Sequence, residues 1–120
     1  MTDGGLALVV DRLRCPVCER ALVVDASTLR CADGHGFDVA RQGYVSLFGS
    51  GSRAATGDTA QMVAAREGFL GRAHDAPSAG AVSDAIPVEA EGLCLELAGG
   101  TGYYLARVLD AHPRLVGLDL

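Results

Sequence analysis

Four residues near the start of the chain carry its most definite chemistry. Cys15, Cys18, Cys31 and His35 fall in the order C-x2-C-x12-C-x3-H. Three thiols and one imidazole form a donor set that suits zinc, which takes such ligands in a tetrahedron. The C-x2-C pair places two thiolates on one edge of that tetrahedron. Cys31 and His35 bracket Ala32-Asp33-Gly34, a tight-turn sequence able to present the other edge. The spacing predicts a closed structural zinc site. Two disulfides, or four unrelated core positions, are the competing readings. Met1-Thr2-Asp3-Gly4-Gly5 lacks the positive region of a signal peptide. The apolar run Leu6–Val10 is too short to cross a bilayer. A cytoplasmic chain with no membrane partner is therefore expected. In that compartment thiols stay reduced and paired cysteines more often serve as metal ligands. Cys94 stands apart in an apolar run and reads as a small core residue.

A second constellation lies near the other end, where the chain reads Glu96-x-Ala98-x-Gly100-x-Gly102. A nucleotide-like cofactor needs the backbone to approach closely at a strand-to-helix turn, where side chains would obstruct it. Gly99, Gly100 and Gly102 suit that task. Asp119 follows Gly102 by 17 residues, where an acid at the end of the next strand accepts hydrogen bonds from ribose hydroxyls. The spacing is not the G-x-G-x-x-G of dehydrogenases. An acid followed by alternating small residues resembles motif I of S-adenosylmethionine-dependent methyltransferases. A plain glycine loop remains the competing reading. Ala98 replaces the first glycine of the usual motif, and its methyl group would crowd the methionine end of the cofactor.

These residues need elements to hold them. Residues 6–48 read as a β-rich module, with short apolar pieces (Leu6–Val10, Ala21–Val24, Thr28–Cys31, Tyr44–Phe48) between Gly, Asp and Pro turns. Gly49–Gly57 has linker composition. Asp58 or Thr59 is placed to cap a helix running to about Ala73, with Met62, Ala65, Phe69 and Arg72 at helical spacing. Asp75-Ala76-Pro77 opens a second helix, with Asp75 as its cap, that stops before Pro87. Strand Leu93–Leu97, helix Tyr103–Ala111 and strand Leu115–Asp119 then make a β-α-β unit. The expected class is α/β, divided as residues 1–50, 51–91 and 92–120.

Composition sets bounds on this reading. Hydrophobic residues make up 49% of the chain but aromatics only 5%, and Trp is absent. A small first module without large aromatic side chains needs a metal to fold. Every basic residue is Arg. Arg12, Arg14, Arg20, Arg30, Arg41 and Arg53 are balanced by the acids of residues 1–53, so the net charge of −5 falls on the remainder. That excludes the strongly basic footprint of an autonomous nucleic-acid binder. A local arginine patch contacting phosphates remains compatible with it.

Taken together, Cys15-Pro-Val-Cys18, Leu29-Arg-Cys-Ala-Asp-Gly-His35-Gly-Phe-Asp38 and Gly43-Tyr-Val-Ser-Leu47 resemble the N-terminal zinc module of the 23S rRNA guanine-N1 methyltransferases. Asp58-Thr-Ala-Gln-Met-Val-Ala-Ala-Arg66, Phe69-Leu70, His74 and Gly99-Gly-Thr-Gly-Tyr-Tyr-Leu-Ala-Arg-Val-Leu109 extend the resemblance over residues 10–120. The all-Arg character looks most like the actinobacterial tylosin-resistance branch. The resemblance implies a small zinc-ribbon-like module that recognises a hairpin of 23S rRNA. It is followed by the first β-α-β of a Rossmann-like domain carrying S-adenosylmethionine. Cys15, Cys18, Cys31 and His35 match the Zn2+ ligands. Gly100 and Thr101 match the cofactor-contacting turn, flanked by Glu96 and Gly102, and Asp119 matches the ribose acid. The family places Tyr after the histidine equivalent to His74. Here that position is Asp75, to which the cofactor role carries over weakly.

The implied reaction transfers the sulfonium methyl to guanine N1 with loss of the N1 proton. A methyltransferase fold needs more strands than one β-α-β unit supplies. Catalytic residues are therefore expected outside this chain, which is expected to be an inactive N-terminal portion. A homodimer is expected only of a full-length protein. The alternatives are a non-enzymatic zinc module that binds RNA or a protein partner, and a small-molecule methyltransferase, because a cofactor turn does not define its acceptor.

Overall fold

The computed structural model describes residues 5–48 and 57–120. The chain divides into two compact units, Met1–Ala54 and Ala55–Leu120. Most of the Gly49–Gly57 linker, and Arg53 of the arginine set, lie outside the described residues.

In the first unit, two 3-10 turns, Leu6–Leu8 and Val10–Arg12, precede a three-stranded antiparallel sheet. Its strands are β1 (Leu22–Asp25), β2 (Thr28–Cys31) and β3 (Gly36–Asp38), paired in chain order. The expected strand at Leu6–Val10 is thus corrected to 3-10 structure. The reason is local hydrogen bonding: the N–H groups of Leu8, Val9, Arg12 and Leu13 donate to the carbonyls of Gly5, Leu6, Val9 and Val10, three residues back in each case, as 3-10 turns require. The Tyr44–Phe48 piece forms only a bridge from Val45 to Val39, after a turn in which Gly43 takes φ +95°. β1 and β2 form a two-residue hairpin with Asp25 opposite Thr28 and Ala26 at φ +53°. Leu29 and Cys31 of β2 are buried while Arg30 between them is exposed, as period-two alternation requires. The core is small: Val9, Leu13, Leu22 and Leu29, with Cys15 and Cys31 buried beside them. Four aliphatic side chains among the described residues make a small core, of the kind that a cross-link at the cysteines would stabilise.

The second unit opens with α1 (Ala60–Leu70). Thr59 caps it, its hydroxyl accepting from the Met62 N–H at 3.2 Å. The helix ends at Leu70, short of the expected Ala73, because Gly71 follows and Ala73 turns to φ +62°. α2 (Ala76–Asp84) carries Pro77 in its first turn and stops before Pro87. Asp75 holds its N-cap position, but its side chain makes no capping bond. That expectation is corrected: the Asp75 carboxylate instead accepts from the Tyr104 hydroxyl at 2.9 Å.

The β-α-β unit follows as β4 (Gly92–Glu96), α3 (Tyr103–Ala111) and β5 (Leu115–Asp119). β4 and β5 pair in parallel, with Cys94 opposite Gly117 and Glu96 opposite Asp119. Parallel neighbours need a crossover, and α3 supplies it. A Cβ on Gly117 would lie 2.6 Å from a Leu109 methyl and 3.1 Å from one of Leu105, so glycine there admits α3 against the sheet. α2 is tied to α3 by the buried His112, whose Nε2 donates to the Ser83 carbonyl at 2.9 Å. Leu93 and Leu95 point away from α3 and stay exposed.

Candidate functional site

The metal-ligand set is built by two similar turns. In the first, the Cys15 N–H donates to the Arg20 carbonyl and the Glu19 N–H to the Cys15 carbonyl, each at 2.8 Å. Glu19 closes this turn at φ +61°. In the second, the Cys31 N–H donates to the His35 carbonyl and the Gly34 N–H to the Cys31 carbonyl, each at 3.1 Å, with Gly34 at φ +89°. Each turn aims its two ligand side chains inward. The ligand atoms of Cys15, Cys18, Cys31 and His35 all lie within 4.8 Å of one another. Cys18 Sγ is 3.6 Å from Cys31 Sγ, and His35 Nδ1 is 3.6 Å from Cys15 Sγ and 3.3 Å from Cys31 Sγ. A tetrahedron with Zn–S bonds of about 2.3 Å has edges of roughly 3.5–3.8 Å, so these separations fit the ion. All four cysteines are free, and Cys94 lies half-buried in β4, apart from the cluster.

Packing three thiols together couples their ionisation. Burial raises the Cys15 thiol, but N–H groups of Cys18 and Val17 and the neighbouring thiols outweigh it and hold the group below its ordinary value. Cys31 is likewise held low: burial again opposes, while the His35 N–H and the Cys18 thiol prevail. Cys18 gains from the Arg20 N–H, yet burial and the two neighbouring sulfurs push it up to about 11. Two thiols held low beside a third pushed up is the electrostatic situation that a divalent cation relieves.

The glycine turn joins β4 to α3. Ala98 takes φ +57°, Gly100 +66° and Gly102 +76°, so the backbone visits the left-handed region three times in five residues. Ala98 does so without the freedom of glycine, at a cost of about 1–2 kcal/mol. Gly99 is the most confined position. Its N–H donates to Asp119 Oδ1 at 3.0 Å. A Cβ there would lie 2.5 Å from Glu96 Oε2 and 2.7 Å from Asp119 Oδ2. Two carboxylates from adjacent strand ends therefore converge beneath a residue without a side chain. Glu96 Oε2 is buried and has no hydrogen-bond partner. Such an oxygen calls for a donor, and ribose hydroxyls or an ammonium group would provide one.

Gly100, Thr101 and Gly102 sit on the open side of this turn. Gly102 caps α3 with no side-chain bond, and no acid occupies the first turn of that helix. A cavity of about 350 Å³ opens beside them, lined by Glu67, Leu70, Thr101, Gly102, Tyr103 and Arg107 among others. The residues present thus fit part of a nucleoside cofactor with an amino-acid tail. The Asp75 carboxylate accepts from the Tyr104 hydroxyl in the first turn of α3, and that hydrogen bond is the chief cause of a raised Tyr104 pKa. His74 stacks on Phe69 with ring centroids 4.9 Å apart. Two features eluded the sequence reading. Gly99 is named there for its backbone freedom, but its confinement between the Glu96 and Asp119 carboxylates is visible only in the structure. Arg66 lies against Gly100, its Nη1 3.4 Å from where a Cβ would stand. No local sequence signal announces that contact.

Residues 13–50, which hold the Cys15-Cys18-Cys31-His35 cluster, match the family described as RlmA, N-terminal, a zinc ribbon. More particularly, the chain is related to the 23S rRNA (guanine-N1)-methyltransferases of actinobacteria. It is 45% identical over 116 residues to the 23S rRNA (guanine(748)-N(1))-methyltransferase of Streptomyces fradiae, covering 93% of this chain and 41% of that protein. A Micromonospora griseorubida protein, provisionally named a 23S rRNA (guanine-N(1)-)-methyltransferase, is 42% identical over 132 residues, covering 93% of this chain and 44% of its own length. The chain spans less than half the length of these relatives. No helix among the described residues is long and apolar enough to cross a membrane.

Proposed function

We propose that this chain is the N-terminal part of a cytoplasmic, S-adenosylmethionine-dependent methyltransferase that modifies guanine N1 in a hairpin of 23S rRNA. The observation that carries the reading is the pairing, on one chain, of the Cys15-Cys18-Cys31-His35 cluster with a glycine turn set over two strand-end carboxylates. The relatives' names supply the acceptor.

In this reading the zinc ion fixes two turns that the small core cannot hold alone. Exposed Tyr44 and Phe48, with Phe37 beside His35 in a cavity of about 460 Å³, offer faces on which unpaired bases stack. When bound, the cofactor supplies an electrophilic methyl group. Asp119 accepts from its ribose hydroxyls, and Glu96 Oε2 gains a donor it otherwise lacks. Gly100 and Thr101 let the backbone approach, and positioning makes the main contribution to rate.

The experiment is a comparison of two proteins on the isolated rRNA hairpin. The full-length gene product, given cofactor, should leave N1-methylguanine detectable by mass spectrometry and as a primer-extension stop. The 120-residue chain should bind the hairpin and methylate nothing. A full-length product that leaves every guanine unmodified would overturn the enzymatic reading in favour of a zinc module that binds RNA alone.

A further inference from the structure

The Arg66 guanidinium is held in a specific place. Its Nη2 pairs with Asp58 Oδ2 at 2.9 Å, just ahead of the α1 cap. Its Nη1 reaches the glycine turn, 3.4 Å from the position a Gly100 Cβ would take. Arg66 is half-exposed, and ion pairs in such settings add little to stability. The pair is better understood as a strut that orients the cation. One edge of the planar fork is used by Asp58, and the other edge, at Gly100, has no hydrogen-bond partner among the described residues.

The surroundings give the turn a polarity. On the strand side, Glu96 and Asp119 present carboxylate oxygens around Gly99. On the helix side, Arg66 stands at Gly100 and α3 begins without an acid in its first turn. A ligand that spans the turn meets acceptors at one end and a cation at the other. The amino-acid end of S-adenosylmethionine carries the cofactor's one anionic group, a carboxylate beside an ammonium, whereas its ribose carries uncharged hydroxyls. We propose that Arg66, steadied by Asp58, is the cation that binds the cofactor's α-carboxylate and so fixes the direction in which the cofactor lies. This inference rests on the reading of the glycine turn as the cofactor site. Arg66 is a positioning residue: it touches the cofactor's tail and not the transferred methyl.

The test separates the two readings. Binding of S-adenosylhomocysteine, which has the carboxylate, and of 5′-methylthioadenosine, which lacks the whole amino-acid end, is measured calorimetrically on the full-length gene product. Arg66→Met should weaken S-adenosylhomocysteine about 10- to 100-fold, the range of a lost charge-assisted hydrogen bond. It should leave 5′-methylthioadenosine unchanged. Arg66→Lys should recover part of the loss, and Asp58→Asn should cost a few-fold for the first ligand only. The latter two variants keep the test decisive should Arg66→Met fail to fold. Equal weakening of both ligands by these variants would show a structural strut and overturn the proposal while the cofactor reading stands. Unchanged affinity for both would overturn it as well. A wild-type protein that binds neither ligand would overturn the cofactor reading itself.

Discussion

At the residue scale, the chemistry is concentrated in a few side chains with little redundancy. Cys31 is both a member of the candidate metal-ligand cluster and one of the buried positions of a core with four aliphatic members among the described residues. Cys31→Ser should therefore unfold residues 5–48 rather than merely weaken metal binding, because structural zinc contributes folding free energy directly. Collapse of amide dispersion in that segment, with loss of bound zinc by elemental analysis, is the expected outcome. Retained dispersion would refute the structural role. Gly99 has the opposite character, being required for what it lacks. In Gly99→Ala the new methyl would press on the Glu96 and Asp119 carboxylates. Titration with S-adenosylhomocysteine should show at least a tenfold loss in the full-length protein, while its zinc content stays at one ion per chain.

At the element scale, ends and ties matter more than apolar faces. Within α1 only Leu70 is buried, so the helix relies heavily on its cap. Thr59→Ala should cost about 1 kcal/mol, the usual value of an N-cap hydroxyl, seen as faster amide exchange in the first turn. The start of α2 is held to α3 through Asp75 and Tyr104. The Tyr104 hydroxyl donates to a carboxylate, and ionisation would end that bond and set two negative charges together. The folded protein therefore prefers the protonated phenol. This contribution to stability is present below the ordinary phenol pKa and is lost as pH rises through the raised value. Phenolate absorbance should show one tyrosine titrating late, and Asp75→Asn should return it toward the ordinary value.

At the scale of the whole molecule, charge and chemistry are divided along the chain. The ribbon segment is close to neutral by sequence, while the acids of residues 54–120 carry the net charge. Under the proposed function, RNA affinity would come from folded, local surfaces of residues 5–48 rather than from bulk attraction. Chelating the zinc should abolish hairpin binding in a mobility-shift assay, and adding the ion back should restore it. Binding that survives chelation would place the RNA surface elsewhere.

Much of this was legible in the amino-acid sequence because it depends on short spacings. The C-x2-C and C-x3-H turns, the Thr59 cap, Pro77 at the start of α2, and the strand–turn–helix–strand order from Gly92 to Asp119 all follow from rules that act over a few residues. Short irregular segments were less legible. Leu6–Val10 has the composition of a strand, yet its backbone closes on itself through bonds to carbonyls three residues back and forms 3-10 turns. Tertiary structure alone decided the long-range partners. Tyr104 takes Asp75 away from its cap, His112 finds the Ser83 carbonyl, Glu96 and Asp119 close on Gly99, and Arg66 reaches Gly100. Each of these contacts joins elements whose mutual placement is set by packing, and packing is a property of the assembled unit that no local spacing encodes.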